Sequence, residues 1–200
     1  MAGCIITISR EYGSGGRVVG EALAKELDIP FYDRDLVKMI SDESGISEKF
    51  IDGADLNREE SLMYAGYDVN SSVPLTNVVF QAEAAIINKL ADKGNCIIVG
   101  RCADYVLRER NNVLNVFIYA SIDNRIERIS KLYGDDMKNA KAFIQRYDKD
   151  RAAYYDYYTD KKWGSMKSYH LCVNSDMGIR NCVEIVKLAY EKWSDGIHLV

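Results

Sequence analysis

Residues 4–27 read CIITISREYGSGGRVVGEALAKEL, and this stretch decides the fold. Cys4–Ser9 is a short apolar, β-branched run that stops at a glycine-rich turn, the pattern of a strand buried on both faces. From Arg17 to Leu27 the period changes. Val18, Val19, Ala22, Leu23 and Leu27 share one helical face, and Glu21, Lys25 and Glu26 fall elsewhere. Between strand and helix, Gly13, Gly15 and Gly16 let the backbone take positive φ and let N–H groups converge on an anion. The helix start adds its positive dipole end. Arg10 and Arg17 flank the turn and can make charge-assisted bonds to phosphate oxygens. A tight strand–helix turn without a ligand is the plainer reading. The buried strand before the turn, the arginines beside it and the helix after it together favour a phosphate site at Arg10, Gly13, Ser14, Gly15, Gly16 and Arg17.

The turn does not match GxxxxGK[ST] in full. Counted from the strand end, Arg10 takes the first glycine position, Gly15 the second, Gly16 the lysine and Arg17 the Ser/Thr. Shifting by one puts Arg17 at the lysine and Val18 at the hydroxyl position. Neither register supplies a hydroxyl for Mg²⁺. A GxGxxG dinucleotide reading also fails, because Val18 stands where the third glycine belongs.

Working outward, Asp28–Pro30 ends the first helix and Phe31–Tyr32 enters a second strand. Asn95–Gly100 (NCIIVG), Val113–Ser121 (VLNVFIYAS) and Tyr169–Asn174 (YHLCVN) read as three more. A helical pattern follows each, the last carried by Ile179, Cys182, Val183, Val186, Ala189, Tyr190 and Trp193. Alternating strands and helices imply a parallel sheet covered on both faces. Two segments break the alternation, 35–89 and 136–162, and both follow strand ends, where an open α/β sheet binds its ligands. They read as helical inserts, one to hold an acceptor and one to close over it. The charge density and poor apolar periodicity of 136–162 predict few contacts with the core.

The composition is that of an ordinary globular protein, 48% apolar and 28% charged. Its net charge of −4 speaks against nucleic-acid binding, so any positive phosphate site is local. Cys4, Cys96, Cys102, Cys172 and Cys182 are odd in number and lack CxxC spacing, which argues against a disulfide framework or a structural zinc. Reduced cysteines, no secretory signal pattern and no window near the length of a membrane span lead to an expectation of a cytoplasmic protein without a membrane partner.

Three blocks then carry a resemblance: ITISREYGSGGRVVGEALAKELDIPFYDRDLV (Ile6–Val37), CIIVGRCADYVL (Cys96–Leu107) and RYDKDRAAYY (Arg146–Tyr155). In order and spacing the chain resembles the cytidylate kinase-like family of P-loop kinases. The resemblance implies a three-layer α/β/α sandwich of the P-loop NTPase type, with a five-stranded parallel sheet, a helical NMP-binding insert and a helical lid. The chain is then one domain, with core segments 1–34, 90–135 and 163–200, the insert at 35–89 and the lid at 136–162. Asp33 and Arg34 match the acceptor pocket after the second strand, and Arg101 matches the arginine of a DGRD-like turn that binds the acceptor phosphate. Both acids of that turn are replaced, by Val99 and Cys102, with Asp104 close by. Arg146 and Arg151 match the lid arginines. These departures fit the kinase-like branch better than authentic cytidylate kinases.

The implied function is ATP-dependent transfer of a phosphoryl group to a small nucleotide, CMP or dCMP first, with ATP and Mg²⁺ required and no identifiable magnesium ligand. Arg17, Arg101, Arg146 and Arg151 are the expected catalytic arginines. Arg17 is the first candidate to replace the missing lysine and Arg10 the second. In the competing account Arg17 pairs with Glu21 on the helix surface. Arg146, Lys149 and Arg151 also fit a solvated face partnered by Asp148 and Asp150. Tyr147, Tyr154, Tyr155, Tyr157 and Tyr158 read as packing a lid onto the core rather than as base-stacking platforms. His170 and His198 show no triad or metal pattern. A kinase of another small molecule, and a nucleotide-binding regulatory protein that transfers nothing, are the alternatives.

Overall fold

The computed structural model describes residues 4–49, 51, 75–133 and 139–196. His198 and much of the 35–89 insert lie outside them. The first strand, β1 (Ile5–Arg10), leads into α1 (Gly16–Leu27), β2 (Phe31–Tyr32), α2 (Arg34–Ser44) and α3 (Leu75–Asp92). Then come β3 (Cys96–Val99), α4 (Ala103–Val106), β4 (Val113–Tyr119), α5 (Ile122–Tyr133), α6 (Ala140–Thr159), β5 (Leu171–Asn174) and α7 (Ile179–Ser194). Each expected strand forms: β2 as expected, β1 one residue further on, to Arg10, and the other three shorter by two residues each.

The five strands make one parallel sheet in the order β2-β3-β1-β4-β5. Ile5 to Ile8 of β1 pair with Cys96 to Val99, and Ile5 to Arg10 pair with Val113 to Ile118 on the other side. Successive side chains of a strand point to opposite faces, and β1 feeds two cores accordingly. Ile5 joins Val37, Ile40, Val79, Ile87, Leu90, Ile98 and Leu107 under α2, α3 and α4. Ile6 and Ile8 join Val19, Leu23, Ile97, Val116, Cys182 and Val186 under α1 and α7. Helices on both faces explain why the strands read as continuous apolar runs.

After β1 the chain runs out to β2 and β3, then crosses to β4 and β5 on the opposite side. The crevice beyond the C-terminal end of β1 is therefore the topological switch point, the ligand site of open α/β sheets. None of the five cysteines is in a disulfide, and four of them are buried. Among the described residues no helix is long and apolar enough to cross a membrane.

The expectation that 136–162 touches the core only lightly is corrected. Residues 134–138 lie outside the described residues, but α6 is seated at several points. Ala140, Ile144, Tyr155 and Thr159 are buried, and charged and tyrosine side chains carry the rest of the docking. A scan for apolar periodicity misses a face built from Asp, Arg and Tyr.

Candidate functional site

The glycine-rich turn between β1 and α1 is held from below by its own strand environment. Ile118 accepts the N–H of Glu11 at 3.0 Å, and Ser14 N–H bonds the Glu11 carbonyl at 3.2 Å. Gly13 and Gly15 sit at φ of 77° and 84°, left-handed backbone that favours glycine. A Cβ at Gly13 would also lie 2.8 Å from Ile129 Cδ1, and one at Gly15 2.6 Å from Ile179 Cδ1. Among the described residues, the N–H groups of Gly13, Gly15, Gly16 and Arg17 have no protein acceptor. The last two belong to the first turn of α1, whose N–H groups point out along the axis. The turn is thus a set of donors at a helix N-terminus, suited to phosphate oxygens.

The turn floors a cleft of about 550 Å³. Arg10, Gly13, Gly15, Gly16, Arg17, Asp33, Arg34, Arg101 and Arg151, all named from the sequence, line it together. Ser14 does not: it is fully buried, with its hydroxyl against the carbonyls of Glu11 at 2.9 Å and Ile118 at 3.0 Å. Arg146 is on the exposed side of α6, near Asp150. Asp104 is buried on the α6 side of the sheet, where its Oδ2 accepts the Tyr155 hydroxyl at 2.6 Å and burial pushes its carboxyl above the usual range. It borders a separate polar cavity, also of about 550 Å³, with Lys161, Tyr169 and His170.

Arg17 has two partners, with its Nε 3.1 Å from Glu21 and 3.3 Å from Asp33. Arg101 is tied to the fully buried Glu83 at 2.7 Å and to the Ile51 carbonyl at 3.0 Å. Tyr154 donates to the other Glu83 oxygen at 2.5 Å, so β3, α3 and α6 meet at one carboxylate. Arg151 donates to the Arg10 carbonyl at 3.0 Å and lies over the Tyr12 ring.

Four further groups were not among the site residues expected from the sequence, although Asp148 was named there as a partner on a solvated face. Arg125, with a side chain only 6% exposed, donates to the Tyr12 carbonyl at 2.7 Å, bonds Glu11 at 3.1 Å and pairs with Asp148. Arg128, one turn on, bonds the Gly13 carbonyl and lines the cleft. Asp148 accepts the Tyr12 N–H at 2.7 Å. Burial raises the Glu11 carboxyl above its ordinary value, against the Ala120 N–H and Arg125, which lower it. The signal available in the sequence was the i, i+3 spacing of Arg125 and Arg128 in the helix that follows β4.

Among the lining residues six arginines stand against two carboxylates, Glu11 and Asp33. This balance suits a polyanion. It does not suit a magnesium ion held by the protein. The Ser14 hydroxyl is committed to carbonyls, positions 17 and 18 carry Arg and Val, and both carboxylates are in ion pairs. No group of three or more His, Cys, Asp or Glu side chains gathers to hold a metal among the described residues.

Comparison with known proteins fits this geometry. A crystal structure of an uncharacterized protein from Eubacterium ventriosum is 24% identical, with a TM-score of 0.71 over 94% of this chain and 98% of that one. The shikimate kinase from Bacteroides thetaiotaomicron is 18% identical, with a TM-score of 0.57 over 95% and 99% of the two chains. A gluconokinase from Sinorhizobium meliloti is also 18% identical, at 0.57 over 98% and 96%. These likenesses show the P-loop kinase fold. No curated protein matches the chain. The model of the cytidylate kinase-like family matches residues 5–177, which span β1 with its glycine-rich turn, the arginines of the cleft and all five strands, and the chain belongs to that family.

Proposed function

We propose that this protein transfers the terminal phosphoryl group of ATP to a small nucleotide, with CMP or dCMP as the first acceptor to test. The observation that carries the reading is the excess of arginine around unpaired N–H groups at the switch point of the sheet. Phosphoryl transfer asks little covalent chemistry of a protein, and positioning with charge neutralisation supplies most of the rate. The N–H groups of Gly13, Gly15, Gly16 and Arg17 hold the donor phosphates, with Arg128 beside them. Asp33, Arg34 and Arg101 line the opposite wall and receive the acceptor. Arg151, reaching in from α6, adds charge and helps to exclude water. Because the residues do not fit a protein-held magnesium ion, neutralisation by the chain falls to these guanidinium groups.

A coupled assay of ADP release across nucleoside monophosphates, deoxynucleosides, shikimate and gluconate tests the reading. Turnover with CMP or dCMP above the other acceptors supports it. Turnover with shikimate or gluconate alone replaces the acceptor and keeps the reaction. ATP binding without turnover on any acceptor favours the second reading, a nucleotide-binding regulatory protein, for which glycine at the lysine position is the specific observation.

A further inference from the structure

We propose that Arg10 is the cation that serves the donor β- and γ-phosphates in place of a lysine at position 16, and that Gly16 is a glycine in order to seat it. The inference rests on the phosphotransfer reading and names how that site is charged.

Gly16 opens α1 with ordinary backbone and is not among the positive-φ glycines, so its conformation does not call for glycine. Its surroundings do. A Cβ there would lie 2.6 Å from the Cβ of Arg10 and 3.1 Å from its Cγ. Gly100, at a φ of 77°, is a backbone position that favours glycine in any case, and a Cβ there would overlap the Arg10 Nη1 and lie 3.2 Å from Cζ. The Arg10 side chain therefore leaves the end of β1, passes over the first residue of α1 and ends beside the turn that follows β3. Its Nη2 is 3.8 Å from Asp33, and the residue lines the cleft. The guanidinium thus lies where the phosphate turn faces the wall assigned to the acceptor.

Arg17 is placed differently. It lines the cleft and reaches Asp33 at 3.3 Å, but it also bonds Glu21 one turn along α1, and 43% of its side chain is exposed, against 21% for Arg10. Arg151 bonds the Arg10 carbonyl and fixes the strand end from which the side chain departs. A guanidinium can take two phosphate oxygens together, so one arginine arriving from the strand can do the work of a lysine arriving from the helix. The overlap at Cβ means that a side chain at 16 and the present course of Arg10 exclude each other.

Mutual exclusion makes the test reciprocal. Arg10→Gly, Gly16→Lys and the double variant are compared with the wild-type chain for ATP affinity by titration calorimetry and for ADP release. Glycine is needed at 10 because alanine would keep the overlapping Cβ. Each single change should weaken ATP binding at least tenfold, and the double variant should return to within threefold of wild type. Unliganded thermal unfolding gives a second readout. Gly16→Ala should lower Tm when Arg10 is present and leave it unchanged or raise it in the Arg10→Gly chain. Should Arg10→Gly not fold, Arg10→Gln keeps the first carbons, removes the charge and should show the same tenfold loss. Wild-type ATP affinity in Arg10→Gly or Arg10→Gln overturns the inference. So does a double variant no better than the singles, or an equal cost of Gly16→Ala in both backgrounds. A wild-type chain that binds ATP but turns over no acceptor removes the phosphotransfer reading and still lets the affinity cycle decide on Arg10. A wild-type chain that binds no ATP removes both.

Discussion

Two helices meet the glycine-rich turn, and they are held by different forces. α1 grows out of the turn and docks through Val19, Leu23 and Ala24, which are buried against Ile6 and Ile8 of β1. α6 comes over the turn from far along the chain. Its inward stripe runs Ile144, Asp148, Arg151, Tyr155 and Thr159, spaced three and four residues apart on one helical face. Asp148 meets Tyr12 N–H and Arg125, Arg151 meets the Arg10 carbonyl, and Tyr155 meets Asp104. Rings fill the gaps: Tyr147 lies 4.4 Å from Tyr12, and Tyr158 stacks on Phe80 at 4.2 Å between centroids. The difference teaches how the site is divided. Apolar docking fixes α1 as part of the scaffold. Polar docking ties α6 to the backbone of the turn at Arg10 and Tyr12 and to Arg125 behind it, so salt acts on α6 first.

The largest effect should come from the apolar side. Leu23→Ala removes a fully buried side chain and should cost about 3 kcal/mol, a fall in Tm of about 9 °C for a chain of this size. Thermal unfolding at low and high salt should give the same loss. A loss that shrinks with salt would mean that α1 does not dock by burial alone.

Arg125→Ala should come next, at about 2 kcal/mol, because it leaves Glu11 and Asp148 without their shared partner. The sharper readout is hydrogen exchange. Amides of α6 should exchange faster while those of α1 keep their protection. Equal loss in both helices would show that they open as one unit and would end the distinction.

Tyr154→Phe deletes only the hydroxyl that reaches Glu83 and should cost about 1 kcal/mol in denaturant unfolding. An unchanged midpoint would mean that Arg101 satisfies Glu83 without help from α6.

The smallest effect is a slope against pH. Burial raises the Asp104 carboxyl from its ordinary 3.8, so the native state keeps this proton to higher pH than the unfolded chain does. Between the ordinary value and the raised one the native state binds more protons, and stability falls as pH rises through that window. Asp104→Asn should remove this fall while leaving an acceptor for Tyr155. Parallel urea titrations from acid to neutral pH check it, and identical slopes in the two chains would refute it.

The fold was legible in the sequence because its signals are local. β-branched runs ended by glycine mark strands, and the change of period from Cys4–Ser9 to Arg17–Leu27 marks the strand-to-helix unit. Five strands and their order along the chain follow from such signals, as does the glycine-rich turn, whose glycines, flanking arginines and helix start are contiguous. The lining of the cleft by Asp33, Arg34, Arg101 and Arg151 was anticipated from the family pattern rather than from spacing. Arg125, Arg128 and Asp148 were not, because nothing in a charged helical face says whether it looks outward or inward.

The sequence by itself therefore determined the secondary elements, the parallel α/β class and the glycine-rich turn between strand and helix, all of them properties of neighbours along the chain. Only the tertiary structure decided where each arginine lies. It turned Arg17 toward Glu21 and Asp33, put Arg146 on the exposed face, buried Asp104 away from the cleft and laid Arg10 across Gly16 toward Gly100. The physical reason is that an arginine's charge sits at the end of a long flexible stem. Where that charge comes to rest is set by the partners and the space that the folded chain brings around it, and neither is written in the residues beside it.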